Sequence, residues 1–476
     1  MCHSNKVYST GVGMHLTKAN EFIIGFMENA IVSTATDTLP LLITTDEPCP
    51  VNFTVEATNP QFLMTGIATY GSITTLQLPK DVTIMSDSQR NKGIRVKAEG
   101  DKTISVYGSN HEGVSSDTFT ALPCIDYPVT LVNGRRQRHR YHIFSGSSTA
   151  ISSSQFLIIS CRDNTEIRLI PSQSIQIPFD IETQTRIVAA GQRATFNLDR
   201  LQTYMVQSRQ DLTGTVVVSD YPIAVCTGHQ CGNVPVGARR CEFFVEAVPS
   251  HFTWGTLFFT APFAGRRSGE IVRIAALNRH LTVVNVTCST HGLQPSPGNF
   301  TTTNLTANEG FSFTTGPDDF CCIESSQPIL VMQYATGAST DPGNDFSDPF
   351  LMTVPPVQQY ANNFTIASSD SVGAGFTETY LNILVSTQFF DNTRESRNSI
   401  RLNNARASGT WSAIYCASRT ICGYGTQISL SPEVSNVFHL DSTAGIGVVV
   451  YGYGTGVSYG YPAGFKLEPI ACECYQ

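Results

Sequence analysis

Charge is scarce in this sequence. Of 476 residues only 14% are Asp, Glu, Lys or Arg, and the formal net charge is −8. Nucleic-acid binding draws on a basic face that displaces counterions, so that class is not expected. Long apolar runs are missing too: no stretch approaches the roughly 18 residues a membrane-spanning helix needs. Nowhere do apolar residues hold the i, i+3, i+4, i+7 spacing over the ten or so residues of an amphipathic helix. Repeated C-x-x-C pairs, which bring four zinc ligands to one point, are also absent. No apolar segment follows Met1-Cys2-His3-Ser4-Asn5-Lys6, so no signal peptide is read at the start, and the chain is expected to be a fragment of a longer protein.

What is present is a succession of short runs rich in Val, Ile, Thr, Phe and Tyr, broken by Gly, Pro, Asn, Asp and Ser. Phe22–Phe26, Phe156–Ser160, Gly214–Val218 and Gly447–Tyr451 are continuous runs, whereas Ala194–Leu198 and Gln427–Leu430 alternate. This is the pattern of an all-β chain. One strand type recurs, beginning at Ile104, Ile223, Ile329 and Ile446, roughly 105–120 residues apart, the size of one β-domain. After the first three come an acidic residue, a Phe and a Pro: Asp117, Phe119, Pro123; Glu242, Phe244, Pro249; Asp348, Phe350, Pro355. The expected organisation is four diverged β-rich repeats of about 110 residues: 21–115, 116–240, 241–346 and 347–466. A segment 1–20 precedes them and a Cys-containing tail 467–476 follows. The repeats fit either β-sandwich-like units or a closed propeller-like ring.

Fourteen cysteines are spread over the whole length, a distribution suited to disulfides in an oxidising compartment. Cys231 and Cys241 bracket a short loop and are candidates for one bridge. Cys416 and Cys422 are candidates for another, and Cys472 or Cys474 for a more distant one, although counting does not fix connectivity. Five N-x-[ST] sequons, at Asn52, Asn285, Asn299, Asn304 and Asn363, are candidate glycosylation sites and favour the secretory pathway.

Signatures of enzymatic chemistry are few. There is no G-x-S-x-G elbow, H-E-x-x-H helix or phosphate-binding P-loop. His111-Glu112 has no second His at helical spacing. Gly452–Gly456 is rich in glycine but is followed by no helix, so it reads as a bend or bulge. His229 and Cys231 lack a matching second pair of metal ligands. The loop Asp341–Asp348, with Asn344 and Asp345, is rich in oxygen donors without the order of a known calcium loop; an Asx-rich turn is expected there. No cofactor or metal is expected. Arg135, Arg136, Arg138 and Arg140 form the strongest basic cluster, a solvated loop by default, with a polyanion site or a processing site after Arg138 as alternatives.

Three stretches resemble a known family. They are Ser219–Cys231 with Cys241–Pro249 and Thr253–Thr256, Glu21–Asn29 followed by Leu41–Thr45, and Ala261–Arg273. Together they are similar to the N-terminal domain of the IgG Fc-binding protein family, over about residues 20–460. The resemblance implies a secreted glycoprotein of mucus or extracellular matrix with a binding role and no catalytic centre. Its expected partner is a protein or glycan of extracellular fluid, immunoglobulin-like or mucin. The alternatives are a purely structural glycoprotein and a glycan-active enzyme, which would need two carboxylates converging in a pocket.

Overall fold

The computed structural model describes residues 17–470 except 30–37, 86–87, 113–114, 128–130, 133–134, 137, 147–151, 179–184, 239–240, 277–280, 296–299, 307, 341–347, 368–374 and 431–434. The chain is built from β-strands, and the all-β expectation holds. Among the described residues the one α-helix is the six-residue Arg394–Ser399.

The first stretch contains β1 (Glu21–Ile24), β2 (Pro40–Thr44), β3 (Val51–Thr58), β4 (Gln61–Ala68), β5 (Thr74–Gln77), β6 (Ile94–Ala98), β7 (Ser105–Glu112) and β8 (Ser115–Thr120). They form two sheets, ordered β1-β6-β3-β4 and β5-β2-β7-β8. The second stretch contains β9 (His139–His142), β10 (Ser154–Ser160), β11 (Thr165–Ile170), β12 (Ala194–Leu198), β13 (Thr203–Ser208), β14 (Val216–Ser219), β15 (Ile223–Gly232) and β16 (Glu242–Ala247). Its sheets run β9-β14-β11-β12 and β13-β10-β15-β16, the same scheme, with Ser88–Arg90 added beside β13.

The third stretch contains β17 (Gly255–Thr260), β18 (Ile271–Ala276), β19 (Thr282–Thr290), β20 (Phe300–Leu305), β21 (Gly310–Thr314), β22 (Asp319–Tyr334) and β23 (Leu351–Thr353). Here the 16-residue β22 serves both layers. Its first half pairs β17 and β19, and its second half pairs β18 and β23. The fourth contains β24 (Asn363–Ile366), β25 (Phe376–Ser386), β26 (Ile400–Leu402), β27 (Ala405–Arg406), β28 (Ser412–Tyr415), β29 (Ile421–Leu430), β30 (Ser435–His439), β31 (Ile446–Gly454) and β32 (Val457–Pro462). Its sheets are β24-β30-β26-β27 and β28-β29-β25-β31-β32. The first two stretches share one connectivity; in the third a single long strand takes the place of two, and the fourth adds β28 at the edge of its inner sheet.

Hydrophobic pattern explains the layers. Outer-layer strands alternate: Val51, Phe53, Val55 and Ala57 are buried, while the residues between them face outward. Inner-layer strands such as β10 and β31 are buried on both faces, and this is why they read as continuous apolar runs. One face of each inner sheet meets its own outer sheet: Phe53 and Val55 share a core with Leu41, Ile43 and Val106. The other face enters the core of the preceding stretch. Leu157, Ile159 and Cys226 of the second stretch join the first core, and Leu330, Met332 and Tyr334 of the third join the second. Val449 and Tyr451 of the fourth join the third core, and Leu42 and Tyr107 of the first join the fourth. The packing therefore runs in one direction round a closed cycle.

Hairpins β7–β8 and β15–β16 carry their ladders across the sequence-derived divisions at 115/116 and 240/241. β22 and β23 pair across the one at 346/347.

Candidate functional site

β8, β16, β23 and β32 end their inner sheets, each hydrogen-bonded on one edge to the strand before it. Their other edges meet at the centre of the cycle, β8 against β16, β16 against β23, β23 against β32, and β32 against β8. An edge strand carries a row of unpaired amides, and four converging edges do not close a common ladder. Buried amides must still find acceptors. Two of the acidic residues that recur in the sequence, Asp117 and Glu242, supply some of them, and Glu246 supplies others.

Asp117 on β8 is fully buried, and its carboxylate accepts from the amides of Thr118 at 2.8 Å, Val245 at 3.0 Å and Gly460 at 3.4 Å. One side chain thus collects amides from the first, second and fourth stretches. Glu242 accepts from the Ser115 hydroxyl and from the Ser116 amide at 2.6 Å. Glu246 accepts from the amides of Ala247 at 2.7 Å and Thr353 at 3.1 Å. The amide of Asp348 donates to the Ser458 hydroxyl at 2.8 Å, and the Thr120 hydroxyl donates to the Pro462 carbonyl.

Burial pushes the carboxyls of Asp117, Glu242 and Glu246 well above the ordinary range. For Glu242 the negative neighbours Asp348 and Asp117 push the same way, and for Glu246 so does Asp117. Amide donation to each opposes burial without overcoming it. Glu242 Oε2 and the hydroxyls of Ser116 and Thr118 are buried without a hydrogen-bond partner among the described residues. A neutral carboxyl suits such a site, since an unpaired buried carboxylate is strongly disfavoured. The centre can thus hold protons and tie four strands together. Its side chains are shut off from solvent and do not form the open carboxylate pair of a glycosidase. In the sequence this motif stands only as a repeat marker; its signal as a site is an acidic residue two places before a Phe in three segments that become buried.

The residues singled out from the sequence are scattered. Cys231 and Cys241 are bonded, closing a loop in which Val236 is 69% exposed. The Gly337 amide donates to the Val234 carbonyl of that loop at 2.6 Å. His229 sits beside the bond with its Nδ1 accepting from the Cys231 amide, and burial holds its pKa down to about 4. The pairing of Cys416 with Cys422 is corrected: Cys416 is bonded to Cys322, across 94 residues, and Cys422 is a free thiol. The long-range bond forms because β22 and β28 pack together in one apolar cluster, a contact that sequence spacing does not report. Further bonds join Cys124 to Cys161 and Cys288 to Cys321, with Cys49 and Cys226 also free. The proximity of Cys322, Glu324 and Cys416 is that of a disulfide beside a carboxylate. Cys2, Cys472 and Cys474 lie outside the described residues.

Asn52 on β3 and Asn304 on β20 are exposed, and Asn285 on β19 is half-buried, its Oδ1 accepting from Thr302. Asn363 on β24 is half-buried with its Oδ1 closed off from water. Asn299 lies outside the described residues, as do 341–347 of the oxygen-rich loop. Arg135 and Arg136 form a two-residue strand, Arg138 is paired with Glu166 at 2.5 Å, and Arg140 is exposed. Glu166 also pairs Arg168, so part of the basic cluster is neutralised within the fold. His111 and Glu112 end β7. A cavity of about 40 Å³ between the first and second stretches is lined by Ile24, Phe119, Tyr141, Ile223 and Cys226. It is far below the few hundred Å³ of a typical ligand pocket. No helix among the described residues is long and apolar enough to cross a membrane.

Comparison with known proteins agrees with the resemblance in the sequence. The human IgGFc-binding protein is 23% identical over 198 residues, which cover 41% of this chain and only 3% of that protein's length. A family model described as IgGFc binding protein matches residues 129–452, from just before β9 into β31. With most of the chain matched, including the Cys231–Cys241 loop and the strands that carry Glu242 and Asp348's neighbour Leu351, the chain belongs to the IgGFc-binding protein family.

Proposed function

We propose that the chain is a non-catalytic extracellular binding module, a part of a larger mucus or matrix glycoprotein, made of four diverged copies of one eight-stranded unit. Its ligand is a protein or glycan of extracellular fluid, with immunoglobulin the first candidate from the family. The observation that carries a binding role is the loop between Cys231 and Cys241. It is closed by a disulfide, tied to the third stretch through Val234, and presents Val236 to solvent. The sequence adds Arg239 and Arg240 to the same loop. Tethering a loop lowers the entropy it loses on binding, and an exposed apolar residue such as Val236 suits a protein surface.

Surface plasmon resonance against immunoglobulin Fc, Fab and purified mucin tests this. Val236→Asp weakens capture at least tenfold while leaving the thermal transition in place. Absence of saturable binding to all three, or binding indifferent to Val236→Asp, removes the assigned loop. The sequons at Asn52 and Asn304, exposed on the outer sheets, support a second reading as a structural glycoprotein. Glycopeptide mapping of secreted protein tests it, with Asn52 and Asn304 occupied.

A further inference from the structure

Three cysteines meet where the third and fourth stretches touch. Cys322 on β22 is bonded to Cys416 at the end of β28, and both are buried in a cluster with Phe259, Phe320 and Ile414. Cys422, near the start of β29, packs against the same cluster as a half-buried free thiol. Its position follows from the hairpin. Ile414 pairs Gly423 and Tyr415 pairs Ile421, so Cys422 is the extra residue of a bulge. A bulge re-aims the side chain it carries. Beyond it the Cys416 amide donates to the Thr420 carbonyl at 3.1 Å, and the Cys422 thiol donates to the same carbonyl at 3.5 Å. The free thiol therefore packs against the apolar cluster that holds a disulfide joining two different stretches.

We propose that Cys322, Cys416 and Cys422 form a thiol–disulfide exchange site, in which the Cys322–Cys416 bond and a Cys416–Cys422 bond are alternative states of the same chain. Cys422, as thiolate, attacks the Cys416 sulfur. A sulfur–sulfur bond forms between them, the bond from Cys416 to Cys322 breaks, and Cys322 leaves with the electron pair. The proton given up by Cys422 is balanced by one taken up on Cys322, so no oxidant or reductant is consumed. One state ties two stretches together, and the other closes only a hairpin.

Burial, and then the Glu324 carboxylate, hold the Cys422 thiol above its ordinary value, against donation from Cys416 and Thr420. The reactive thiolate is therefore a minor form at neutral pH, and exchange accelerates with base. The site does not depend on the binding role proposed above.

The test uses the full chain made through a secretory host, held at pH 7 and pH 9, quenched in acid, alkylated and mapped without reduction. The expected result is conversion of Cys322–Cys416 with alkylated Cys422 into Cys416–Cys422 with alkylated Cys322. Its rate rises about tenfold per pH unit below the thiol's pKa and does not depend on protein concentration. Cys322→Ser, refolded in air, forms the Cys416–Cys422 bond, and Cys422→Ser shows no conversion. Cys422 remaining the alkylated member at both pH values for a day overturns the proposal. So does a rate proportional to protein concentration, or a Cys322→Ser chain with Cys416 and Cys422 both alkylated.

Discussion

At the scale of single residues, Asp117 does the most with the fewest atoms. Asp117→Ala strands the amides of Val245, Gly460 and Thr118 in a dry centre. Each buried donor left unpaired costs about 1–3 kcal/mol, so a loss of at least about 3 kcal/mol is expected by urea denaturation. Asp117→Asn keeps an acceptor oxygen and costs less than half of that. The same centre sets an unusual pH dependence. Asp117, Glu242 and Glu246 have folded pKa values raised above 3.8 and 4.5, so the folded state holds their protons more tightly than the unfolded chain. Their contribution to stability is full in acid and declines as pH rises through and beyond those values. Buried His142 and His229, lowered to about 4, and His251, lowered to about 3, act in the opposite sense. Their contribution is full above 6.5 and is lost as pH falls toward those values. As pH rises above 4.5 the carboxyls are therefore expected to lower stability, against the histidines, whose contribution grows over the same range. Denaturation curves over a pH series check this by comparison with Asp117→Asn/Glu242→Gln/Glu246→Gln, in which only the rising contribution of the histidines should remain. Sequence showed Asp117 and Glu242 as recurring letters and did not mark Glu246. Their burial was not legible, because it depends on four strands that are distant in the chain.

Elements were easier to read than their partners. Phe156–Ser160 and Gly447–Tyr451 stand out as strands because both faces are covered, and Ala194–Leu198 because one is. Periodicity is local, and the chain displays it. Pairing is set by which apolar faces meet, and β17 with β22, or β24 with β30, are separated by some 70 residues. For the same reason Cys231–Cys241 lay within reach of sequence reasoning and Cys322–Cys416 did not. The two bonds also differ in what they constrain. Closing a loop of 10 residues restricts the unfolded chain by about 2–3 kcal/mol, and closing one of 94 by about 4–5 kcal/mol. Cys416→Ser is accordingly expected to lower the denaturation midpoint more than Cys231→Ser, measured with the remaining bonds intact.

For the whole molecule the decisive fact is that no stretch owns a complete core. Each lends the outer face of its inner sheet to the stretch before it, and the first lends to the fourth. Unfolding is therefore expected as a single transition, with a calorimetric enthalpy close to the van't Hoff enthalpy; four self-sufficient domains would give a ratio near four. The cycle is sealed where its described ends meet. The Thr17 amide donates to the Phe465 carbonyl at 2.9 Å, the Phe465 amide to the Thr17 hydroxyl at 3.1 Å, and Tyr107 donates its hydroxyl to Ala463. Under tension applied at residues 17 and 470 this seam bears the load first, because such a pull separates the first stretch from the fourth directly. Disulfides hold first to second and third to fourth, so a stretched module would open like a hinged bracelet at its clasp and close again when the tension is released.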